Sequence, residues 1–182
     1  MYFKQKIVKD KIGHNIKLRS TDISDATTII EYLKITADET PYLLNESEEI
    51  SFTKEQEIEF IQNKINSKKE LLLLAFVEDN LIGSCSLTSI GNSTRFAHRC
   101  SVSIAIKQNY CNMGIGKLMM ETILNIAKQV GYEQVELEVM SKNKNAIVFY
   151  KKLGFRKYGT LPNNIKYKDD SYDDTYWMMK TL

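Results

Sequence analysis

The stretch Ile104-Ala105-Ile106-Lys107-Gln108-Asn109-Tyr110-Cys111-Asn112-Met113-Gly114-Ile115-Gly116-Lys117-Leu118 reads as a strand that ends in a glycine-bearing loop and runs directly into an amphipathic helix. After Ile115, apolar residues recur at helical spacing at Leu118, Met119, Ile123, Ile126, Ala127 and Val130. Gly131 then stands where a helix C-terminus favours a residue able to adopt positive φ. The glycines therefore open a helix. A helix N-terminus carries unpaired N–H groups and the positive end of the peptide dipole, and neither Gly114 nor Gly116 has a Cβ to hold an anion off that backbone. Two familiar phosphate loops are excluded. A P-loop needs a glycine where Cys111 stands and a hydroxyl residue where Leu118 stands, and a dinucleotide fingerprint needs a third glycine where Met119 stands. The Gly-x-Gly that remains suits either an anion cradle or a close strand-to-helix contact.

No linker, repeat or low-complexity tract interrupts the 182 residues, so one domain over 1–182 with a continuous core is expected. With 43% hydrophobic and 26% charged residues the composition is that of a folded globule, which excludes a disordered chain. The 25 basic and 23 acidic residues leave a net charge of +2, no electrostatic footprint for nucleic acid. The opening Met1-Tyr2-Phe3-Lys4-Gln5-Lys6 is too polar for a secretory signal, and the apolar run Leu71–Val77 is too short to span a bilayer. No membrane association and a cytoplasmic location are therefore expected. Cys85, Cys100 and Cys111 lack metal-ligand spacing, and only His14 and His98 could add imidazole, so neither a disulfide nor a metal is expected. Cys111 beside a helix N-terminus has a physical reason for a lowered thiol pKa, but packing is the commoner role of a lone cysteine.

Residues 14–19 read as a first strand, followed by Ser20-Thr21-Asp22 as a helix N-cap and by a helix through Ile23, Ala26, Ile29, Ile30 and Leu33. Residues 38–51, with Thr40-Pro41-Tyr42, read as a loop with short helical turns. Thr53-Lys54-Glu55-Gln56 is a capping box that starts a second helix with Ile58, Ile61 and Ile65 on its buried stripe. Residues 71–77 and 81–90 form a hairpin around Glu78-Asp79-Asn80, Gly91-Asn92 is the next turn, and residues 96–106 make a third, central strand. Val135, Leu137 and Val139 alternate with Glu136 and Glu138 as a strand with one apolar face. A short helix over 145–153 stops at Gly154, and strands over 155–160 and 175–180 close the sheet.

The second decisive stretch is Leu137-Glu138-Val139 followed by Asn143-Lys144-Asn145-Ala146-Ile147-Val148-Phe149-Tyr150 and Leu153-Gly154-Phe155. Together with the Gly-x-Gly loop and its helix, it resembles the GNAT superfamily of acetyl-CoA-dependent N-acetyltransferases. The likeness extends over about 16–182. It implies an α/β fold of order βαα-βββ-α-β-α-ββ, a twisted mixed sheet with helices on both faces. It also implies acetyl-CoA as co-substrate and a primary amine as acceptor, attacked without an acetyl-enzyme intermediate. The acceptor could be a small molecule, an antibiotic, an amino acid or a protein amine.

The same resemblance assigns roles. The main chain of Ile104, Ala105 and Ile106 would follow the pantetheine arm and the acetyl group, which requires the sheet to splay there. Asn112, Met113, Gly114, Ile115, Gly116 and Lys117 would cradle the pyrophosphate through their N–H groups, although Cys111-Asn112-Met113 departs from the Gln or Arg and the small or basic residues usual there. Asn143 would hydrogen-bond the pantetheine arm, with Ala146 beside it. Tyr150 falls on the family's proton donor, a phenol able to protonate a departing thiolate. Glu138 matches a carboxylate that some members use as general base, its alternative being a solvent-facing strand carboxylate. Glu39, Tyr42, His98 and Asp174 are substrate-side candidates, by likeness to a bacterial branch that includes amino-acid and antibiotic acetyltransferases. A second class of function, a non-catalytic acyl-CoA-binding module on the same fold, is set against catalysis by Tyr150. A homodimer is compatible with the sequence, which does not itself determine the oligomeric state.

Overall fold

The structure, a computed structural model, describes residues 1–91 and 93–182. Asn92, half of the expected Gly91-Asn92 turn, lies outside the described residues. The strands are β1 (Lys6–Lys9), β2 (Asn15–Ser20), β3 (Leu71–Val77), β4 (Asn80–Ser89), β5 (Arg99–Ile106), β6 (Gln134–Met140), β7 (Arg156–Lys166) and β8 (Tyr172–Thr181). The helices are α1 (Ala26–Asp38), α2 (Lys54–Asn66), α3 (Ile115–Gln129) and α4 (Lys144–Lys152). The strands form one eight-stranded sheet in the order β1-β2-β3-β4-β5-β6-β8-β7. Every neighbouring pair is antiparallel except β5 and β6, which are parallel and joined through α3.

Helices cover both faces, and the apolar pattern says why. On one face Met119, Ile123 and Ala127 of α3 and Ile147 of α4 pack with Leu18, Leu71, Leu73, Cys85 and Val135 of the strands. On the other, Ala26, Ile29 and Tyr32 of α1 and Ile61 of α2 pack with Leu72, Leu74 and Phe76. β3 lies between the two layers, so its residues 71–76 are all buried and its sequence is apolar without alternation. Thr53 caps α2 in the expected reciprocal box with Gln56. Asp22 takes the corresponding role for the short 3₁₀ turn Ile23–Asp25 that leads into α1.

Two differences from the sequence reading matter. β1 was not expected: it is an edge strand of register Lys6↔Leu18 to Lys9↔Asn15, and Gly13 takes φ +94° in the turn to β2. Lys6-Ile7-Val8-Lys9 is too short to show a period, and its lysines are what an open sheet edge favours. The central strand starts at Arg99 rather than at residue 96, because Ser93 accepts from the Arg95 N–H and turns Thr94–Phe96 into a 3₁₀ segment. No helix among the described residues is long and apolar enough to cross a membrane, and no group of three candidate metal ligands occurs among them.

Candidate active site

The parallel register of β5 and β6 runs only from Arg99↔Gln134 to Ser101↔Glu136. Beyond it β6 continues along β8 to Met140, while β5 continues along β4 to Ile106, so the two central strands part. The edge of β5 over residues 102–106 thereby faces a cleft rather than a ladder partner. Buried main-chain groups are normally paired, so a strand edge left open in mid-sheet is a place for a ligand. At its far end β5 is held by Lys107 N–H donating to Ile82 O at 2.9 Å.

Tyr32, which the sequence pattern does not single out, braces this edge. Its hydroxyl accepts from Ser84 N–H at 3.1 Å and donates to Ala105 O at 2.7 Å. Ser84 and Ala105 are opposite one another in the β4–β5 register, so the buried phenol oxygen bridges the two strands where β5 borders the cleft. Helical spacing marked α1 as buried on this side; only the tertiary contact reveals that a hydroxyl is spent on β5.

The loop after β5 ends at the N-terminus of α3. Asn112 adopts φ +64° and Gly114 φ +88°, both left-handed, so Asn112 takes a conformation that asparagine tolerates better than most side chains. α3 has no side-chain cap and no acidic residue in its first turn. The N–H groups that open it are therefore left for an anion, and the fit of a phosphate group to this backbone is good. Gly116 has a second reason to be glycine: a Cβ there would sit 3.2 Å from Ile106 Cδ1 and 3.4 Å from Phe149 Cζ. A Cβ on Gly114 would meet the Lys11 side chain, not the open cleft as the sequence reading assumed. Cys111 does not acquire a lowered pKa. Desolvation, then the Glu39 carboxylate, push its thiol up, against the reactive-cysteine alternative.

Tyr150 is buried on α4, its ring 5.4 Å from that of Phe149 and 5.9 Å from that of Phe155. Burial, and in smaller part Cys85, push its phenol well above the ordinary value, so it carries its proton throughout the neutral range. Asn143 is the N-cap of α4: its Oδ1 accepts from Ala146 N–H at 3.1 Å, which leaves the amide NH₂ as the free donor.

Glu138 is exposed on β6, just past the last β5–β6 pair. Its Oε1 accepts from Asn164 Nδ2 at 2.7 Å and from Thr175 Oγ1, leaving Oε2 without a partner among the described residues. The other candidates are dispersed. Glu39 Oε2 accepts from Gln108 N–H at 2.7 Å and so braces the loop after β5. Tyr42 lies near Tyr167, whose phenol is pushed up by desolvation, by Asp173 and more weakly by Tyr42. Lys168 pairs with Glu46 and, at 3.3 Å, with Glu48, so the α1–α2 loop and the β7–β8 turn form one wall. Asp174 Oδ1 on β8 accepts from Asn163 N–H at 2.9 Å, where β7 departs from its register between Leu161 and Ile165. Its neighbour Asp173, which the sequence reading missed, is buried. Burial alone would raise its pKa, but bonds from Ser141 Oγ (2.6 Å), Lys142 N–H (3.2 Å) and Tyr167 OH (3.3 Å) bring it below the usual range. His98 precedes β5 at its paired end, where its carbonyl accepts from the Glu133 and Gln134 N–H groups. It is not brought together with the others.

Comparison with known proteins gives the family and the fold. Residues 35–155 match the acetyltransferase (GNAT) family, and the chain belongs to that family. It is an acyltransferase of the GNAT class, a family that uses acetyl-CoA. An N-alpha-acetyltransferase of the archaeon Sulfurisphaera tokodaii is 27% identical over 164 residues, 89% of this chain and 93% of its own. A GNAT-family acetyltransferase structure from Streptococcus pneumoniae superposes with a TM-score of 0.87 at 24% identity, covering 92% of this chain and 99% of that one. The structure of yncA from Salmonella typhimurium with its cofactor acetyl-CoA superposes at 0.79 and 16% identity, covering 92% and 94%. At these identities the two structures speak for the fold.

Proposed function

We propose that the chain, acting as a single domain over 1–182, transfers the acetyl group of acetyl-CoA to a primary amine by direct attack. The observation that carries this reading is the parting of β5 from β6 beside the uncapped N-terminus of α3. The main chain of Ile104, Ala105 and Ile106 lies along the acyl and pantetheine part of the ligand, held in line by Tyr32. The N–H groups of Asn112, Met113, Gly114, Ile115, Gly116 and Lys117 take the diphosphate. The Asn143 amide donates to the pantetheine arm, with Ala146 alongside. The thioester supplies an activated acyl group and a thiolate leaving group. Tyr150, protonated because it is buried, donates its phenolic proton towards the departing sulfur. Glu138 receives the amine proton on Oε2, directly or through water, as the nitrogen–carbon bond forms. Tyr42 and Asp174 stand on the acceptor wall, and Glu39 acts on the loop behind it.

Within the amine class, the name of the Sulfurisphaera relative favours the α-amine of a peptide N-terminus. The test is thiol release from acetyl-CoA across free amino acids, aminoglycosides, polyamines and peptides with free or blocked N-termini. Turnover confined to free-N-terminus peptides supports the narrower reading. Cofactor binding without turnover on any amine overturns catalysis and leaves the acyl-CoA-binding module.

A further inference from the structure

The β1–β2 hairpin reaches the cradle through its tip. Lys11 N–H donates to Met113 O at 3.0 Å. The Lys11 side chain lies across Gly114: a Cβ built there would be 2.9 Å from Lys11 Cγ and 3.3 Å from Cε. The ammonium, one bond beyond Cε, is thereby kept close to the opening of α3. The tip is itself braced, since the Asp10 carboxylate accepts from the N–H groups of Ile12 and His14, each at 2.9 Å, and meets the His14 ring at 3.1 Å.

This puts a cation beside the positive end of a helix dipole, an arrangement that is repulsive by itself. Lys11 has no salt bridge among the described residues, the first turn of α3 has no carboxylate, and the loop over 108–113 has no charged residue of its own. An anion placed between the ammonium and the N–H groups of α3 turns both interactions favourable.

We propose that Lys11 is a ligand of the cofactor diphosphate, contributed from the N-terminal hairpin, so that the anion is held between its ammonium and the backbone of α3. The proposal rests on the acetyl-CoA reading above and adds a residue to it. The test measures equilibrium binding of CoA by titration calorimetry, and of pantetheine, which lacks the diphosphate, by ligand-observed NMR. Wild type, Lys11→Gln and Lys11→Arg are compared. Lys11→Gln should weaken CoA roughly tenfold, the low end for a charge-assisted bond, leave pantetheine unchanged and flatten the salt dependence of CoA binding. Lys11→Arg should keep CoA affinity within about twofold, since the charge is retained. Equal CoA affinity in wild type and Lys11→Gln overturns the proposal. So does an equal loss for both ligands, which would make Lys11 a brace of the loop. A wild type that binds no CoA removes the acetyl-CoA reading itself, a result distinct from either.

Discussion

The two ends of β5 solve opposite problems. At the first end Arg99 grips Glu136 on β6 through Nε–Oε1 at 2.5 Å and Nη2–Oε2 at 2.8 Å. Gln134 adds a bond to Glu136 at 2.7 Å, Tyr158 adds one at 3.1 Å, and the Arg99 guanidinium lies 5.2 Å from the Phe96 ring centre. The Arg99 partnership, against the opposing cost of burial, holds the Glu136 carboxyl below the usual range. At the second end β6 has left, and the strand edge, the loop N–H groups and the opening of α3 face outward. A strand pinned at one end and unpaired at the other opens a cleft, and the groups it leaves unpaired are those that a ligand can satisfy. The contrast teaches how one strand can hold the sheet together at one end and, on the proposed reading, leave the other for binding and chemistry.

The largest effect is expected at the open end. Gly114→Val puts a β-branched residue at φ +88° with its Cβ against Lys11, and should abolish the rise in melting temperature produced by millimolar CoA. An undiminished rise in a folded variant would move the phosphate site elsewhere. Tyr150→Phe should keep fold and CoA affinity yet slow the chemical step roughly 10²-fold in rapid-quench measurements. Because burial raises the phenol, wild type should show no alkaline loss of rate from Tyr150 up to about pH 10. Chemistry within twofold of wild type in the Phe variant would take the proton donation from Tyr150.

The pinned end should answer differently. Arg99→Ala leaves the buried Glu136 carboxylate without its cation, with only Gln134 and Tyr158 still bonded to it, which should cost about 2–3 kcal/mol in urea unfolding while CoA affinity stays within about twofold. A variant with intact stability and lost binding would reverse the division of labour. Returning to the open end, Glu138→Gln should lower turnover about tenfold below the pKa of the acceptor amine and recover above it, where the amine is already deprotonated. A deficit constant across that range makes Glu138 a surface carboxylate.

Glu57 supplies a third case, a buried carboxyl whose Oε1 has no hydrogen-bond partner among the described residues, and desolvation raises its pKa from 4.5 to about 7. The folded state therefore holds a proton that the unfolded state releases, so stability should fall as pH rises from about 4.5 through about 7. Glu57→Gln should remove this slope and be more stable than wild type by on the order of 1–2 kcal/mol at pH 8, with no difference near pH 4. Urea midpoints at the two pH values decide it, and parallel pH curves would refute the assignment.

Much of this was readable from residues alone because it depends on local periodicity. The stripe from Leu118 to Val130, the Thr53 box and the unbroken apolar run of β3 specify their elements through spacing and burial. β1 was not readable, since four residues with lysine at both ends have no period; their pairing depends on β2 offering an edge. The distribution of the substrate-side candidates was equally hidden. His98 and Glu39 lie near the opposite ends of β5, a separation that no local pattern encodes.

By itself the sequence determined the order of elements from β2 onward, the helix opened by Gly114 and Gly116, and the register of Asn143, Ala146 and Tyr150 that carried the family likeness. These are properties of neighbours along the chain, where φ preference, side-chain period and capping act over a few residues. The tertiary structure alone decided that β5 parts from β6 after Ser101, that Tyr32 bridges Ser84 and Ala105, and that Lys11 lies on Gly114. Each joins segments far apart in the chain, and each is settled by where unpaired donors, acceptors and charges meet once the sheet and its helices have packed.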